Sequence, residues 1–331
     1  MKFSTIIGHQ RQIEALQRAL ANGHVAQAYL FSGTEGCGKR RTADAFAAAL
    51  NCTSDGHESC GSCPNCRAMA RGEHPDLTVL APEGRTIKIE SVRDIQRRLH
   101  FTPLLGRYKV VIVDEAHTLG EAAANAMLKT LEEPSANTVF LLVTAHAHLL
   151  LDTIRSRCQS VQFHPLPLDT LAAYLASRTE LGPEPARLVA SMSEGSLARA
   201  IQLAEGDLLA LRDEMIALCE TLRGLSIAEL FAESQRLSND KDELRERLDV
   251  LRLLFRDRLL LRHGVADAQL CNLDRADRLR ALEGDALAAQ LRLVTETQEL
   301  IERNVNPRLA VEHLLLTLKF DRTPAPIPIV R

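Results

Sequence analysis

A glycine-rich loop between a strand and a helix constrains the fold of this chain more than any other segment. Residues 33–39 read G-T-E-G-C-G-K and match the G-x-x-x-x-G-K spacing of a phosphate-binding loop. The loop follows the apolar run 28–31 and precedes a helical pattern over residues 40–50. Because such a loop joins a strand end to a helix start, the sequence predicts an α/β core.

The first half of the chain alternates short apolar runs with helical patterns, which is typical of a parallel sheet wrapped by helices. The run V-V-I-V at residues 110–113 predicts a central strand covered on both faces. A helix is predicted over residues 122–133, ending at Pro134. The other predicted strands are at residues 28–31, 77–80, 139–144 and 161–163.

The length of 331 residues predicts more than one domain. Two prolines just after residue 164 mark a boundary. We therefore expect a core over residues 1–164 with a cysteine insert at 52–66, a small helical lid domain over 165–208, and an all-α collar domain over 209–331. In this last domain apolar residues recur at steps of three and four, which predicts a buried helix face: Leu244, Leu248, Leu251, Phe255 and Leu259.

Composition excludes some classes of function. A formal net charge of −3 argues against a freestanding nucleic-acid binder that works by bulk electrostatics. The absence of tryptophan, with aromatic residues at 4%, disfavours a base-stacking platform. No apolar run is long enough to span a bilayer, and no charged leader with an apolar core opens the chain. We therefore expect a cytoplasmic protein without a membrane partner.

The glycine loop carries the residues expected to bind a nucleotide. Gly33, Gly36 and Gly38 would let backbone N–H groups wrap phosphate oxygens, and Lys39 would reach the β- and γ-phosphates. The next residue should be Ser or Thr, whose hydroxyl ligates Mg²⁺, but Arg40 stands there. A guanidinium cannot ligate a metal. A nucleotide site and a relic loop kept for its turn geometry both remain open.

An acidic pair ends the predicted central strand. Asp114 and Glu115 follow the apolar run 110–113, at the carboxyl edge where ligands of such sheets bind. In a working ATPase the aspartate would hold Mg²⁺ and the glutamate would activate the attacking water. Thr144, at the end of the neighbouring strand, could add a polar contact near a γ-phosphate. The alternative interpretation is a solvated acidic turn.

Four cysteines form a compact cluster with the pattern C-x7-C-x2-C-x2-C: Cys52, Cys60, Cys63 and Cys66. Closely spaced thiolates suit tetrahedral Zn²⁺, and ligation by sulfur alone suits a closed structural site. An iron–sulfur cluster is the alternative for the same ligand type. The remaining cysteines are scattered and are predicted to be packed thiols: Cys37, Cys158, Cys219 and Cys271.

Together these motifs resemble the clamp-loader subunits of bacterial DNA polymerase III, which belong to the AAA+ family, and most closely the delta-prime subunits. The most specific segments are A-N-A-M-L-K-T-L-E-E-P at 124–134 and S-R-C at 156–158. The resemblance covers nearly the whole chain, from residues 7–10 to residues 304–310, which resemble part of the family's oligomerising helical domain. It implies a AAA+ core, a helical lid and a helical collar.

The resemblance also implies roles for two arginines. Arg157 would project into the ATP site of a neighbouring subunit and stabilise charge on the transferring phosphoryl oxygens, as an arginine finger. Without the family pattern, it would be an exposed residue near a helix end. Ser196 would cap a helix whose first turn points Arg199, the family's second sensor, toward a phosphate.

Two functions within this family follow from the resemblance. Because Arg40 is unlike the Thr or Ser of the hydrolysing gamma/tau subunits, the first is an assembly subunit with weak or no ATPase activity of its own. It would join gamma/tau and delta in a hetero-pentamer that opens the sliding clamp and places it on primed DNA. The alternative is a gamma/tau-like motor in which Lys39, Asp114 and Glu115 act in cis. A freestanding zinc-dependent nucleic-acid-binding module is disfavoured by the acidic balance.

Overall fold

The computed structural model describes most of the chain and divides it into two compact units. The first contains Met1–Leu171 and Glu194–Arg199, and the second contains Ala172–Ser193 and Ala200–Arg331. The residues that the structure describes are 1–54, 56–84, 86–133, 135–265, 270–282, 284, 286–303 and 305–320.

The first unit is built on a parallel sheet of five strands in the order β2-β3-β4-β1-β5. The register sets Ser32 beside Thr144 and Val113 beside Leu142, so the carboxyl ends of the strands lie at one edge. The strands are β1 (Ala28–Gly33), β2 (Leu77–Leu80), β3 (Lys109–Val113), β4 (Thr138–Thr144) and β5 (Gln159–Phe163).

Helices cover both faces of this sheet. They are α1 (Gln10–Ala21), α2 (Lys39–Leu50), α3 (Pro64–Arg71), α4 (Ile89–Leu99), α5 (Glu121–Glu132) and α6 (Asp152–Arg155). Helix α2 follows β1 directly, and its alanine-rich sequence permits close packing because small side chains let the backbone approach the sheet. Two further helices, α7 (Leu168–Arg178) and α9 (Leu197–Glu205), each run from the first unit into the second.

The alternation of side chains along the central strand β4 explains how one sheet supports two cores. Val139, Leu141 and Val143 pack in the core on one face, whereas Phe140 and Leu142 pack in the core on the other. Every residue of β4 is buried. A strand covered on both faces reads as a continuous apolar run, which is why β3 and β4 could be found from the sequence.

The second unit is helical in its described residues. Beyond the ends of α7 and α9, its helices are α8 (Pro183–Met192), α10 (Leu208–Thr221), α11 (Ile227–Leu237), α12 (Lys241–Arg262), α13 (Ala276–Ala281), α14 (Leu287–Glu302) and α15 (Pro307–Phe320). Helix α12 packs against α10, α13 and α14. Four residues of its predicted apolar stripe are buried, and Leu259 is half-buried. The prediction that this stripe belongs to the core is confirmed.

The predicted elements of the first unit are confirmed with small changes at their ends. Strand β3 begins one residue earlier than predicted, and β5 two residues earlier. Helix α5 ends at Glu132; Pro134, the predicted stop, lies outside the described residues. The predicted division into domains 1–164, 165–208 and 209–331 stays a prediction, and its last part includes residues 321–331, which also lie outside them.

A search of the described helices for a membrane-spanning segment gives a negative result, because each is too short or too polar to cross a bilayer.

The loop between α4 and β3 is fastened to the sheet by one carboxylate. Asp76, just before β2, accepts hydrogen bonds from the backbone N–H groups of Leu104, Leu105 and Gly106 at 2.7, 2.8 and 2.7 Å. Burial acts to raise the pKa of Asp76, but these three donors outweigh it, and the pKa lies below its usual value. The ionised carboxylate therefore stabilises the fold.

Replacing this carboxylate by an amide should destabilise the protein. We expect Asp76→Asn to lower the free energy of unfolding by about 1–3 kcal/mol at neutral pH, because the amide keeps one acceptor and loses the charge. A depressed folded-state pKa gives stability that is present above the unfolded value of about 3.9 and lost as the pH falls through the folded value. In urea unfolding, the difference from wild type should shrink on acidification below about pH 4. The exposed control Asp94→Asn should change little, and an equal loss in both variants would contradict the assignment.

Candidate nucleotide and metal sites

The glycine loop joins β1 to α2 as predicted. Gly38 lies at the N-cap position of α2 with φ of 110°, a conformation that favours glycine. Gly33 ends β1, where a Cβ would lie 2.0 Å from the carbonyl oxygen of Phe163 on β5. The close neighbouring strand therefore excludes a side chain at this position, whatever the loop binds.

Lys39 is buried within the loop. Its Nζ donates hydrogen bonds to the carbonyl oxygens of Gly33, at 2.7 Å, and of Thr34, at 2.6 Å. Burial lowers the pKa of this ammonium group, and the nearby Glu35 and Asp114 oppose that shift. The carbonyls hold the cation at the loop, the position from which a phosphate-binding lysine acts.

Arg40 fills the place in the sequence where a metal-ligating hydroxyl is expected, and it has two acidic partners. One terminal nitrogen, Nη1, lies 2.6 Å from Oδ2 of Asp114, and Nε lies 3.2 Å from Oδ1 of Asp44. The two carboxylates raise the pKa of Arg40 although burial, the largest single influence, opposes them. Thr42 is fully buried, and its hydroxyl donates to the Gly38 carbonyl oxygen at 3.0 Å, so it is not open to a metal at the loop.

The acidic pair lies at the carboxyl end of β3, as predicted. Asp114 accepts from Arg40 through Oδ2, and its Oδ1 accepts from the backbone N–H of Glu115 at 3.1 Å. Glu115 has φ of 45°, which is uncommon for a residue with a side chain. The carboxylate expected to hold Mg²⁺ is thus bound to a guanidinium.

Thr144, at the end of β4, is buried, and its hydroxyl has two polar neighbours. Its Oγ1 lies 3.1 Å from Nδ1 of His117 and accepts from the backbone N–H of His146 at 3.0 Å. Burial lowers the pKa of His117, and the neighbouring His146 adds to this effect. These contacts fix the threonine at the sheet edge; its predicted role toward a phosphate stays a prediction.

The segment Glu194–Arg199 packs directly against the glycine loop. The backbone N–H of Ala198 donates to the Gly36 carbonyl oxygen at 3.1 Å, and a Cβ on Gly36 would lie 2.2 Å from Oγ of Ser196. Ser196 Oγ also accepts from the backbone N–H of Arg199 at 3.3 Å, which is the predicted cap of α9. Arg199 therefore directly follows a residue that is bonded to the loop, while its contact with a phosphate stays a prediction.

Arg157 lies just after the short helix α6, near the surface. Its Nη1 donates to the carbonyl oxygen of Thr153 at 2.9 Å, and its Nη2 lies 2.6 Å from Oε1 of Glu132 at the end of α5. The arginine side chain is 37% exposed and the glutamate side chain 48%. Exposed pairs of this kind contribute little to stability, so the guanidinium can leave its partner at small cost.

The four clustered cysteines come together as predicted. The Sγ atoms of Cys52, Cys60, Cys63 and Cys66 all lie within 4.8 Å of one another, and those of Cys60 and Cys66 are 3.9 Å apart. Tetrahedral zinc with bonds of about 2.3 Å requires sulfurs about 3.8 Å apart. The arrangement therefore fits a tetrahedral ion.

Backbone donors around the cluster favour thiolates. Cys63 N–H and Ser62 N–H donate to Sγ of Cys60, and Cys66 N–H donates to Sγ of Cys63. Hydrogen bonds from the hydroxyl and amide of Ser62 lower the pKa of Cys60 to about 5. Burial raises the pKa of Cys66 to about 12, so that thiol requires a cation to become a ligand.

The two ends of the cysteine segment are tied together at Asn51, and Glu58 and Ser59 in its middle are hydrogen-bonded to Ser4 and Met1. The Asn65 side chain donates to the carbonyl oxygen of Asn51 at 2.5 Å. The Asn51 side chain in turn accepts from the Tyr108 N–H at 2.8 Å and donates to the Tyr108 carbonyl oxygen at 2.9 Å. The end of α2, the start of α3 and the residue before β3 therefore meet at Asn51.

Sequence reasoning missed two residues that the structure places at these sites. Asp44 pairs with Arg40, and its spacing of four residues on one helix could have indicated the contact. Glu132 pairs with Arg157 from a segment 25 residues away in the sequence, and no local signal indicates such a pair.

Family models match both halves of the chain. Residues 8–167 match the model described as DNA polymerase III, delta subunit, and residues 210–319 match its C-terminal counterpart. The DNA polymerase III subunit delta' of Bacillus subtilis is 33% identical, covering 93% of this chain and 95% of that protein. The delta' subunit of Escherichia coli is 32% identical, covering 95% and 96%. The E. coli subunit tau is 34% identical, but the chain spans only 46% of it.

Among solved structures, a gamma subunit-related protein from Thermotoga maritima aligns over 94% of this chain and 99% of that chain. Its sequence is 21% identical and the TM-score is 0.48.

The fold and the site together define a class of protein. A five-stranded parallel sheet with a glycine loop after β1 and an acidic end on β3, followed by helices, is the AAA+ type of core, and the predicted fold class is confirmed. The chain belongs to the family of DNA polymerase III delta-prime subunits, as its near full-length relatives show.

We expect the purified protein to contain about one zinc ion per chain, because four thiols at these distances form a closed tetrahedral site. Elemental analysis of protein purified without added metal measures this directly. Cys63→Ser should lower the metal content and the thermal stability, since one ligand is lost. The control Cys219→Ser, in the second unit, should keep the metal. Iron in place of zinc, or an equal content in both variants, would contradict the assignment.

Proposed function

We propose that this chain is the assembly subunit of a DNA polymerase III clamp loader, which provides an arginine finger to a neighbouring ATPase subunit and does not hydrolyse ATP efficiently itself. Its partners would be gamma/tau and delta subunits in a hetero-pentamer. The assembly would load the sliding clamp onto primer-template DNA. A structural zinc ion in the cysteine cluster would stabilise the core.

The observation that carries this proposal is the ion pair between Arg40 and Asp114, at 2.6 Å. Hydrolysis at such a site needs Mg²⁺, held by a loop hydroxyl and a strand-end carboxylate. Here the hydroxyl is replaced by a cation, and the carboxylate is bound to that cation. A subunit with this site contributes to an ATP-driven assembly most directly through groups that it donates to its neighbours.

Arg157 is the group best suited to act in a neighbouring site. It lies outside the chain's own glycine loop, on the stretch that follows α6, and is partly exposed. Its tie to Glu132 joins two half-exposed side chains, so a phosphate of higher charge can compete for the guanidinium. A guanidinium reaching a transferring phosphoryl group stabilises the charge that develops there.

The test of this role is Arg157→Ala in a reconstituted loader. We expect hydrolysis at the adjoining site to fall by about 10²-fold or more, as for loss of one transition-state donor, while the complex still assembles. Steady-state ATP turnover with clamp and primed DNA, together with gel filtration, measures both. Arg155→Ala is the matched control, since Arg155 lies two residues earlier, at the end of α6, and pairs with the exposed Asp152. Equal turnover by both variants would contradict the finger assignment and indicate that Arg157 is an ordinary surface residue.

A second candidate is a motor subunit with Lys39, Asp114 and Glu115 acting in cis. The glycine loop with its lysine and the acidic strand end favour it.

The two candidates differ in ATP turnover by the isolated chain. We expect no turnover above background with Mg²⁺-ATP, because the carboxylate that would bind the metal is held by Arg40. Phosphate release by the purified chain, compared with Lys39→Ala, measures this. Turnover that Lys39→Ala abolishes would favour the motor.

A further inference from the structure

The position of Arg40 points to a property of the nucleotide site beyond the loss of hydrolysis. We propose that the guanidinium of Arg40 takes the place of Mg²⁺, so that the glycine loop binds a nucleoside di- or triphosphate without a divalent metal. The inference rests on the proposed nucleotide site and is independent of the role of Arg157.

Arg40 stands where a bridging cation is needed. It is the second residue of α2, and Asp114 directly follows the strand β3. The contact of 2.6 Å between Nη1 and Oδ2 joins the helix start to the strand end. In a metal-dependent site, Mg²⁺ connects these two elements to the phosphates. In this chain the Arg40 side chain joins the same two elements.

The contact also disfavours a metal ion. Mg²⁺ requires near-octahedral oxygen ligands at about 2.0–2.1 Å and loses its waters reluctantly. To reach Asp114 it would have to displace the guanidinium, and the displaced cation would remain nearby on the same helix turn. Asp44 holds Nε of Arg40 in addition, at 3.2 Å. The arginine is therefore anchored at two points on the side of the site where the metal would bind.

Arg40 can bind a phosphate while it is paired with Asp44 and Asp114. A guanidinium has five N–H donors, and the bonds to Asp44 and Asp114 engage one N–H on each of two nitrogens. Its side chain is 34% exposed, so the other donors can be reached. The planar fork of donors suits phosphate oxygens. Lys39 provides a second cation, and the start of α2 adds the positive end of a helix.

The experiment measures ATP and ADP binding by calorimetry in metal-depleted buffer and again with excess Mg²⁺. The buffer contains no chelator, because a chelator would also remove a metal from the cysteine cluster. For the wild-type chain we expect the dissociation constant in metal-depleted buffer to be as low as with Mg²⁺, or lower, whereas Arg40→Thr should bind at least about tenfold more tightly when Mg²⁺ is added. Arg40→Lys keeps the cation and should remain independent of metal. Lys39→Ala should lose binding in both buffers.

A second measurement detects the metal itself. Equilibrium dialysis with Mn²⁺ and ATP should leave no protein-bound Mn²⁺ at the loop of the wild-type chain and about one ion on Arg40→Thr, since the restored hydroxyl completes the site. The double variant R40T/D114N should lose that ion again, because the strand-end carboxylate is gone. Thermal unfolding of each variant verifies that it is folded.

The outcomes separate this inference from the proposals before it. Binding by the wild-type chain that requires Mg²⁺ would overturn it while the nucleotide site stands. Metal-independent binding by Arg40→Thr as well would overturn the role given to Arg40. No binding of ATP or ADP in either buffer would overturn both the site and the inference, and would leave the proposed role of Arg157 unaffected.

Discussion

The parallel hydrogen-bond ladder through β3, β4 and β1 is the constraint on which the rest of the first unit depends. Parallel strands in one register end at one edge, so the ladder brings together residues from distant parts of the sequence. Through it Gly33, Asp114 and Thr144 lie along a single border of the sheet. The strands are buried on both faces, so a one-residue shift in register would exchange side chains between the two cores and disrupt the packing of both.

At that border the fold brings together the residues that were predicted to form a nucleotide site, and Arg40 pairs with the carboxylate among them. The loop, the lysine and the acidic strand end have the expected geometry. The guanidinium of Arg40 donates a hydrogen bond to the Asp114 carboxylate. The negative charge of this carboxylate is therefore balanced by a side chain of the same protein without a metal ion. A change of one residue type thus occupies the carboxylate on which metal-assisted hydrolysis would depend.

The sequence predicts the parts of this molecule that follow from local rules. The strands read as apolar runs because they are covered on both faces, and the four cysteines read as a metal site because their spacing is short. The sequence does not predict contacts that depend on the tertiary fold. Glu132 meets Arg157 only because α5 and α6 lie side by side. The loop after α4 is ordered by Asp76, a carboxylate that precedes β2 and belongs to no motif.

The contacts of Asn51 hold together the two ends of the cysteine segment. The side chain of Asn65 reaches the Asn51 carbonyl oxygen, so the chain leaves and rejoins the core at nearly the same place. The residues between Asn51 and Asn65 therefore form a loop whose two ends are joined by this hydrogen bond. Glu58 and Ser59, in the middle of the segment, are also hydrogen-bonded to Ser4 and Met1. The insert is therefore joined both to the helices on either side of it and to the start of the chain, and its removal would break both sets of contacts.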